Sequence, residues 1–115
     1  MTWPEQLRQR TKKFAIDVVI FCRRLPRNIE CDVFRRQMVK SGTSVGANYR
    51  ATCRGRSAAE KKAKLCIAIE EADETQYWLE LLESLNLGDT TERKRLWSEA
   101  EELLAIFVTA RRNLG

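Results

Sequence analysis

Histidine is absent from the chain, and proline and glycine are scarce, with two and five copies in 115 residues. The missing imidazole removes the usual general base of a serine hydrolase and the nitrogen ligands of mixed zinc or di-iron sites. So few Pro and Gly leave too few turn signals for an all-β fold and allow long regular elements. No apolar run is long enough to span a bilayer, and the polar stretch from Met1 to Lys13 has no signal-peptide core, so a cytoplasmic protein with no membrane partner is expected. The four cysteines include no Cys-x-x-Cys pair and read as reduced thiols. Cys22 and Cys66 lie in apolar runs as small hydrophobes, whereas Cys31 falls in an expected connection and should be exposed.

What remains is helical. The length supports one domain, residues 1–115, with a modest core. Thr2 and Pro4 start a first helix that Pro26 stops, with Leu7, Thr11, Phe14, Val18, Phe21 and Leu25 on one stripe. Ile16, Val19 and Ile20 project from its other side. Asp32 is the expected cap of a second helix, whose Phe34, Met38, Ser41, Val45, Asn48 and Thr52 step by 4, 3, 4, 3 and 4. Its seam is small and polar, and Gly42 and Gly46, one turn apart, predict a close backbone approach.

Gly55 ends that helix or bends it sharply, and Ser57 with Glu60 opens a third carrying Leu65, Ala68, Ile69, Ala72, Thr75, Gln76, Leu79 and Leu82. Ile67, Trp78, Leu81 and Leu85 occupy its far side. Gly88 closes it, and Asp89 with Glu92 caps a fourth helix with Leu96, Ala100, Leu103, Phe107, Ala110 and Leu114 in register. Connections this short make sequential helices antiparallel neighbours, so the expected fold is an all-α, antiparallel up-down-up-down four-helix bundle. A lone bundle buries one stripe per helix. The second apolar faces, Ile16, Val19 and Ile20 on the first helix and Ile67, Trp78, Leu81 and Leu85 on the third, therefore predict a homo-oligomer interface.

Charge is divided along the chain. Residues 1–56 hold 13 Lys/Arg against 4 Asp/Glu, and residues 57–115 hold 8 against 12. Arg36, Lys40, Arg50 and Arg54 lie on one stripe of the second helix, Arg56 continues it, and Lys61, Lys62 and Lys64 extend it into the third. Such a ridge either follows a phosphate backbone or pairs with the acids of the third helix. Ser41, Ser44 and Asn48 form a candidate core polar network, with Asn48 set to bond a neighbouring helix. Glu70, Glu71 and Glu74, with Glu99 and Glu102, superficially resemble the magnesium-binding acids of all-α nucleoside triphosphate pyrophosphatases. They flank the core stripe on both sides and do not converge, so neither a catalytic residue, a metal nor a cofactor is expected.

The run SGTSVGANYRATCRGRS, Ser41 to Ser57, followed by EKKAKLCIAIEEADETQYWLELL, Glu60 to Leu82, resembles the signature of a bacterial family of four helix bundle proteins. That family includes proteins encoded in intervening sequences of large-subunit ribosomal RNA genes. The resemblance implies a ring, a homopentamer, and kinship with the accessory variability protein of diversity-generating retroelements, a basic ring that binds nucleic acid and a reverse transcriptase. RNA, DNA or a nucleic-acid enzyme are the partners it implies. Many members carry Ile-Ala-Glu-Gly after the asparagine matching Asn48. Here Tyr49, Arg50, Ala51 and Thr52 follow, which removes an acid and adds a base.

Overall fold

The structure, a computed structural model, describes residues 2–114. Four helices follow one another: α1 (Trp3–Arg23), α2 (Ile29–Cys53), α3 (Ala58–Ser84) and α4 (Thr90–Asn113). Each packs against its sequence neighbours and α4 returns to α1, while the diagonal pairs α1/α3 and α2/α4 stay apart at backbone level. The result is an antiparallel bundle 44 × 25 × 19 Å in extent.

Local chemistry sets the helix ends. The Thr2 hydroxyl accepts from the Glu5 N–H, and Glu5 accepts in return from the Thr2 N–H at 2.9 Å, a reciprocal cap that satisfies two donors of the first turn. Ser57 and Asp89 accept from the N–H groups of Glu60 and Glu92 as expected. The cap of α2 differs from the sequence expectation. Asn28, not Asp32, takes that position and accepts from the Cys31 N–H at 2.9 Å, so the helix begins a turn earlier. Cys31 thereby joins the core stripe and is fully buried, contrary to the expected exposure. Asp32 instead pairs with Arg35 at 2.8 Å.

The end of α3 also differs. The left-handed residue that terminates it is Asn86 (φ 55°), after which the Leu87 N–H reaches back to the Leu82 carbonyl at 2.9 Å. Gly88 (φ 83°) makes a later turn against α1, where a Cβ would lie 2.5 Å from the Phe21 ring. Between α1 and α2 the expected close approach is present. A Cβ on Gly42 would meet Val18 Cγ1 at 2.8 Å, and one on Gly46 would meet Thr11 Oγ1 at 3.1 Å.

The core stripes are buried as the periodicity predicts, from Leu7, Phe14 and Val18 through Met38 and Val45 to Leu65, Leu79, Leu96 and Phe107. Tyr49, outside the expected stripe, is buried as well and stacks on Phe107 with ring centroids 5.6 Å apart. Burial pushes the Cys22 thiol up to about 11, so it packs as a neutral apolar group. Polar contact across the core runs between Ser41 and Thr75, whose hydroxyls are 2.8 Å apart. The Asn48 amide donates to the Ser44 carbonyl of its own helix at 2.9 Å, and among the described residues it makes no hydrogen bond to a neighbouring helix backbone.

The α1/α4 seam relies on charge. Arg10 donates to Glu99 and Glu102, and Arg95 bridges Asp17 on α1 and Glu92 on its own helix. Burial alone would raise the Asp17 carboxyl, but hydrogen bonds from Lys13 and Arg95 and their charges outweigh it and hold the group below the usual carboxylate range. Its stabilisation is thus present above the unfolded-chain value of about 3.9 and lost as pH falls through the lower folded value. Thermal melts should therefore show wild type losing more stability between neutral and strongly acidic pH than Asp17→Asn. Parallel pH profiles for the two proteins would refute the assignment.

Candidate nucleic-acid interface

Antiparallel topology gathers the start of α1, the end of α2, the start of α3 and the end of α4 at one pole. These segments carry Arg8 and Lys12; Arg50, Arg54 and Arg56; Lys61, Lys62 and Lys64; and Arg111 and Arg112. Arg50, Arg54, Arg56 and Lys62 are exposed, and Lys61 is half-buried. Arg36 and Lys40, also exposed, lie further along α2 from the pole. None of Arg36, Lys40, Arg50, Arg54, Arg56 or Lys61 takes part in an ion pair among the described residues. Among the described residues these six form no ion pair with the acids of α3, although the charge of Lys40 reaches Glu71. Those acids have other surroundings: Glu74 accepts from the Trp78 indole, and Glu80 from that of Trp97. Burial, with help from Glu74 and Glu70, pushes the Glu71 carboxyl up, although Lys40 opposes the shift.

At the opposite pole two arginines are engaged by backbone. Arg35 donates to the carbonyls of Cys22, Leu25 and Pro26, closing the end of α1, and Arg93 donates to those of Leu87 and Gly88. Arg93 is buried without a carboxylate partner, and its Nε has no hydrogen bond. These two arginines hold linkers together, while Arg23, Arg24, Arg27 and Lys94 of the same pole are exposed, as are Lys12, Arg50, Arg54 and Arg56 at the basic pole. Arg111 makes one weak contact, 3.9 Å to Cys66 Sγ.

Between α1 and α2 at the basic pole runs a groove of about 700 Å³, lined by Arg8, Lys12, Arg50 and Arg54 with Glu5, Gln9, Thr11, Thr43, Gly46, Ala47 and Cys53 among others. Reading α2 alone misses its second wall. The signal was the spacing of Arg8 and Lys12, four apart on the side of α1 adjoining its core stripe. In the core beside Cys53, burial and that neighbouring thiol raise the Tyr49 hydroxyl against the opposing charge of Arg8.

The expected interface residues fall into two groups. Ile16, Ile20 and Leu85 are exposed; Val19, Ile67, Trp78 and Leu81 are half-buried. Trp78 packs on Phe34 and Tyr77, at centroid distances of 6.2 and 5.1 Å. Exposed Ile29, Val33 and Tyr77 add apolar surface on α2 and α3. The acids of α3 and α4 do not converge: Glu99 and Glu102 turn to Arg10, and the described residues contain no group of three or more acids or cysteines able to hold a metal ion. Among the described residues no helix is long and apolar enough to cross a membrane.

Fold and charge together define a small antiparallel helical bundle with a basic pole and outward apolar faces. The chain belongs to the 23S rRNA-intervening sequence protein family, which it matches over residues 5–109. It is also similar to a solved structure, a protein of unknown function from the S23 ribosomal protein family of Bacteroides thetaiotaomicron VPI-5482. The TM-score is 0.85 and the identity 29%, over 95% of this chain and 97% of that one. No curated protein matches the chain.

Proposed function

We propose that the protein is a non-enzymatic, ring-forming cytoplasmic adaptor that binds nucleic acid, or an enzyme that processes it, through the basic pole. The observation that carries this reading is the gathering of cations from all four helices at one pole, where Arg50, Arg54, Arg56 and Lys61 enter no ion pair among the described residues. Such a surface attracts polyanions, and a ring repeats it so that weak phosphate contacts act together. A homo-oligomeric module with no nucleic-acid role is the second reading, favoured by the outward apolar faces.

Retardation of single- and double-stranded RNA and DNA separates the two. Wild type should bind with little sequence preference and weaken steeply with salt. Replacing Arg50, Arg54 and Arg56 with alanine should cost at least about tenfold in affinity and shallow the salt slope by roughly 0.9 for each phosphate no longer neutralised. No retardation at low salt would leave only the assembly module.

A further inference from the structure

The α1–α2 groove is more specific than the basic pole around it. Arg8 and Lys12 stand one turn apart on one wall, Arg50 and Arg54 one turn apart on the other, and the floor between them is small. It stays small for a structural reason, since α2 lies so close to α1 that a Cβ on Gly46 would meet Thr11 Oγ1 at 3.1 Å. Four like charges across one groove repel unless an anion lies between them. The chain supplies a single acid to the lining, Glu5, whose Oε2 is held by the Thr2 N–H in the α1 cap, so the cations outnumber it four to one. No aromatic ring lines the groove, so a base entering it would find nothing to stack on. Each cation pair spans about 6 Å along its helix, roughly the spacing of successive phosphates in a nucleic-acid strand and of the two terminal phosphates of tripolyphosphate.

We propose that this groove is an oligophosphate site, which takes a run of linked phosphates between its two cationic walls and reads no base. Two sources carry that chemistry, the backbone of a nucleic-acid strand and free polyphosphate. Only the first rests on the nucleic-acid reading above.

Calorimetric titration of the full chain with inorganic tripolyphosphate at low salt tests the site, with orthophosphate as the comparison. Tripolyphosphate should bind saturably, one per chain and at least tenfold tighter than orthophosphate. Arg8→Ala with Lys12→Ala should weaken it at least tenfold, and Ala47→Glu, a change on the floor, should abolish it without disturbing the fold. Arg23→Ala with Arg27→Ala, exposed at the opposite pole, should leave it unchanged. Absence of tripolyphosphate binding, or equal binding by wild type and the groove variants, overturns the proposal even if RNA is still retarded. Tripolyphosphate binding that the groove variants lose, with no nucleic acid retarded, supports the site with free polyphosphate as its source and removes the nucleic-acid reading alone.

Discussion

Phe107→Ala is expected to lower the unfolding free energy by about 3–5 kcal/mol, a large part of the roughly 5–15 kcal/mol that a domain of this size has in total. Phe107 is fully buried on α4, and its ring stacks on that of Tyr49 from α2, the helix diagonally opposite. The pair therefore spans the centre of the bundle where backbones are too far apart to touch. Truncation removes the aromatic area and leaves a cavity that four helices, each fixed by its own cap, close only in part. Denaturant unfolding measures this as a fall in midpoint at unchanged slope. Tyr49→Phe keeps the ring and should cost far less. A Phe107→Ala loss below about 1 kcal/mol would mean that the ring is not in the core.

That pairing also marks where sequence reasoning stops. A stripe stepping by 3 and 4 predicts which face of each helix is buried, and Leu7 through Val18, Leu65 through Leu82 and Leu96 through Phe107 follow it. Tyr49 lies one residue off the α2 stripe, and it is buried because Gly42 and Gly46 draw α2 onto α1 and widen its inner face. The α2 start was legible, though by a different residue. Asn28 is as good a cap as Asp32, and choosing it places Cys31 three residues before Phe34 and seven before Met38, in register with the core. The α3 end hid for a similar reason. Gly88 is the obvious left-handed candidate, but Asn also tolerates that conformation, and Asn86 stands two residues closer to the helix.

The basic site was half legible. The α2 ridge is visible in one helix because its residues recur at helical spacing, whereas a pole assembled from four helix ends depends on topology. Once antiparallel packing is granted, Arg8, Lys12, Arg111 and Arg112 must join the end of α2. Which cations are already engaged cannot be read from spacing at all. Arg35 and Arg36 are adjacent in sequence, yet the first holds three carbonyls and the second enters no ion pair. Counting charge by halves of the chain treats them alike, and only the geometry separates structural from available cations.

Assembly should show an equally large effect: light scattering should give the mass of a closed ring, and single charges on either apolar face should break it. Ile16 and Ile20 point outward on α1, Tyr77 and Leu85 outward at α3 and its C-terminal end, and α1 and α3 stand at diagonal corners of the bundle. Two different patches facing away from each other suit a head-to-tail contact, in which one face of each chain meets the other face of the next and rotation closes the ring. Ile20→Glu and Leu85→Glu change exposed residues, so each should fold normally while placing an unpaired carboxylate in the contact. Each variant alone should then run as a monomer. Mixed together they retain one intact pair of faces, the α3 face of Ile20→Glu against the α1 face of Leu85→Glu, and should form a dimer that cannot extend. A self-complementary interface would give no such rescue. A wild-type monomer at micromolar concentration would refute the ring itself, and variants that remain full-sized would move the contact away from these faces.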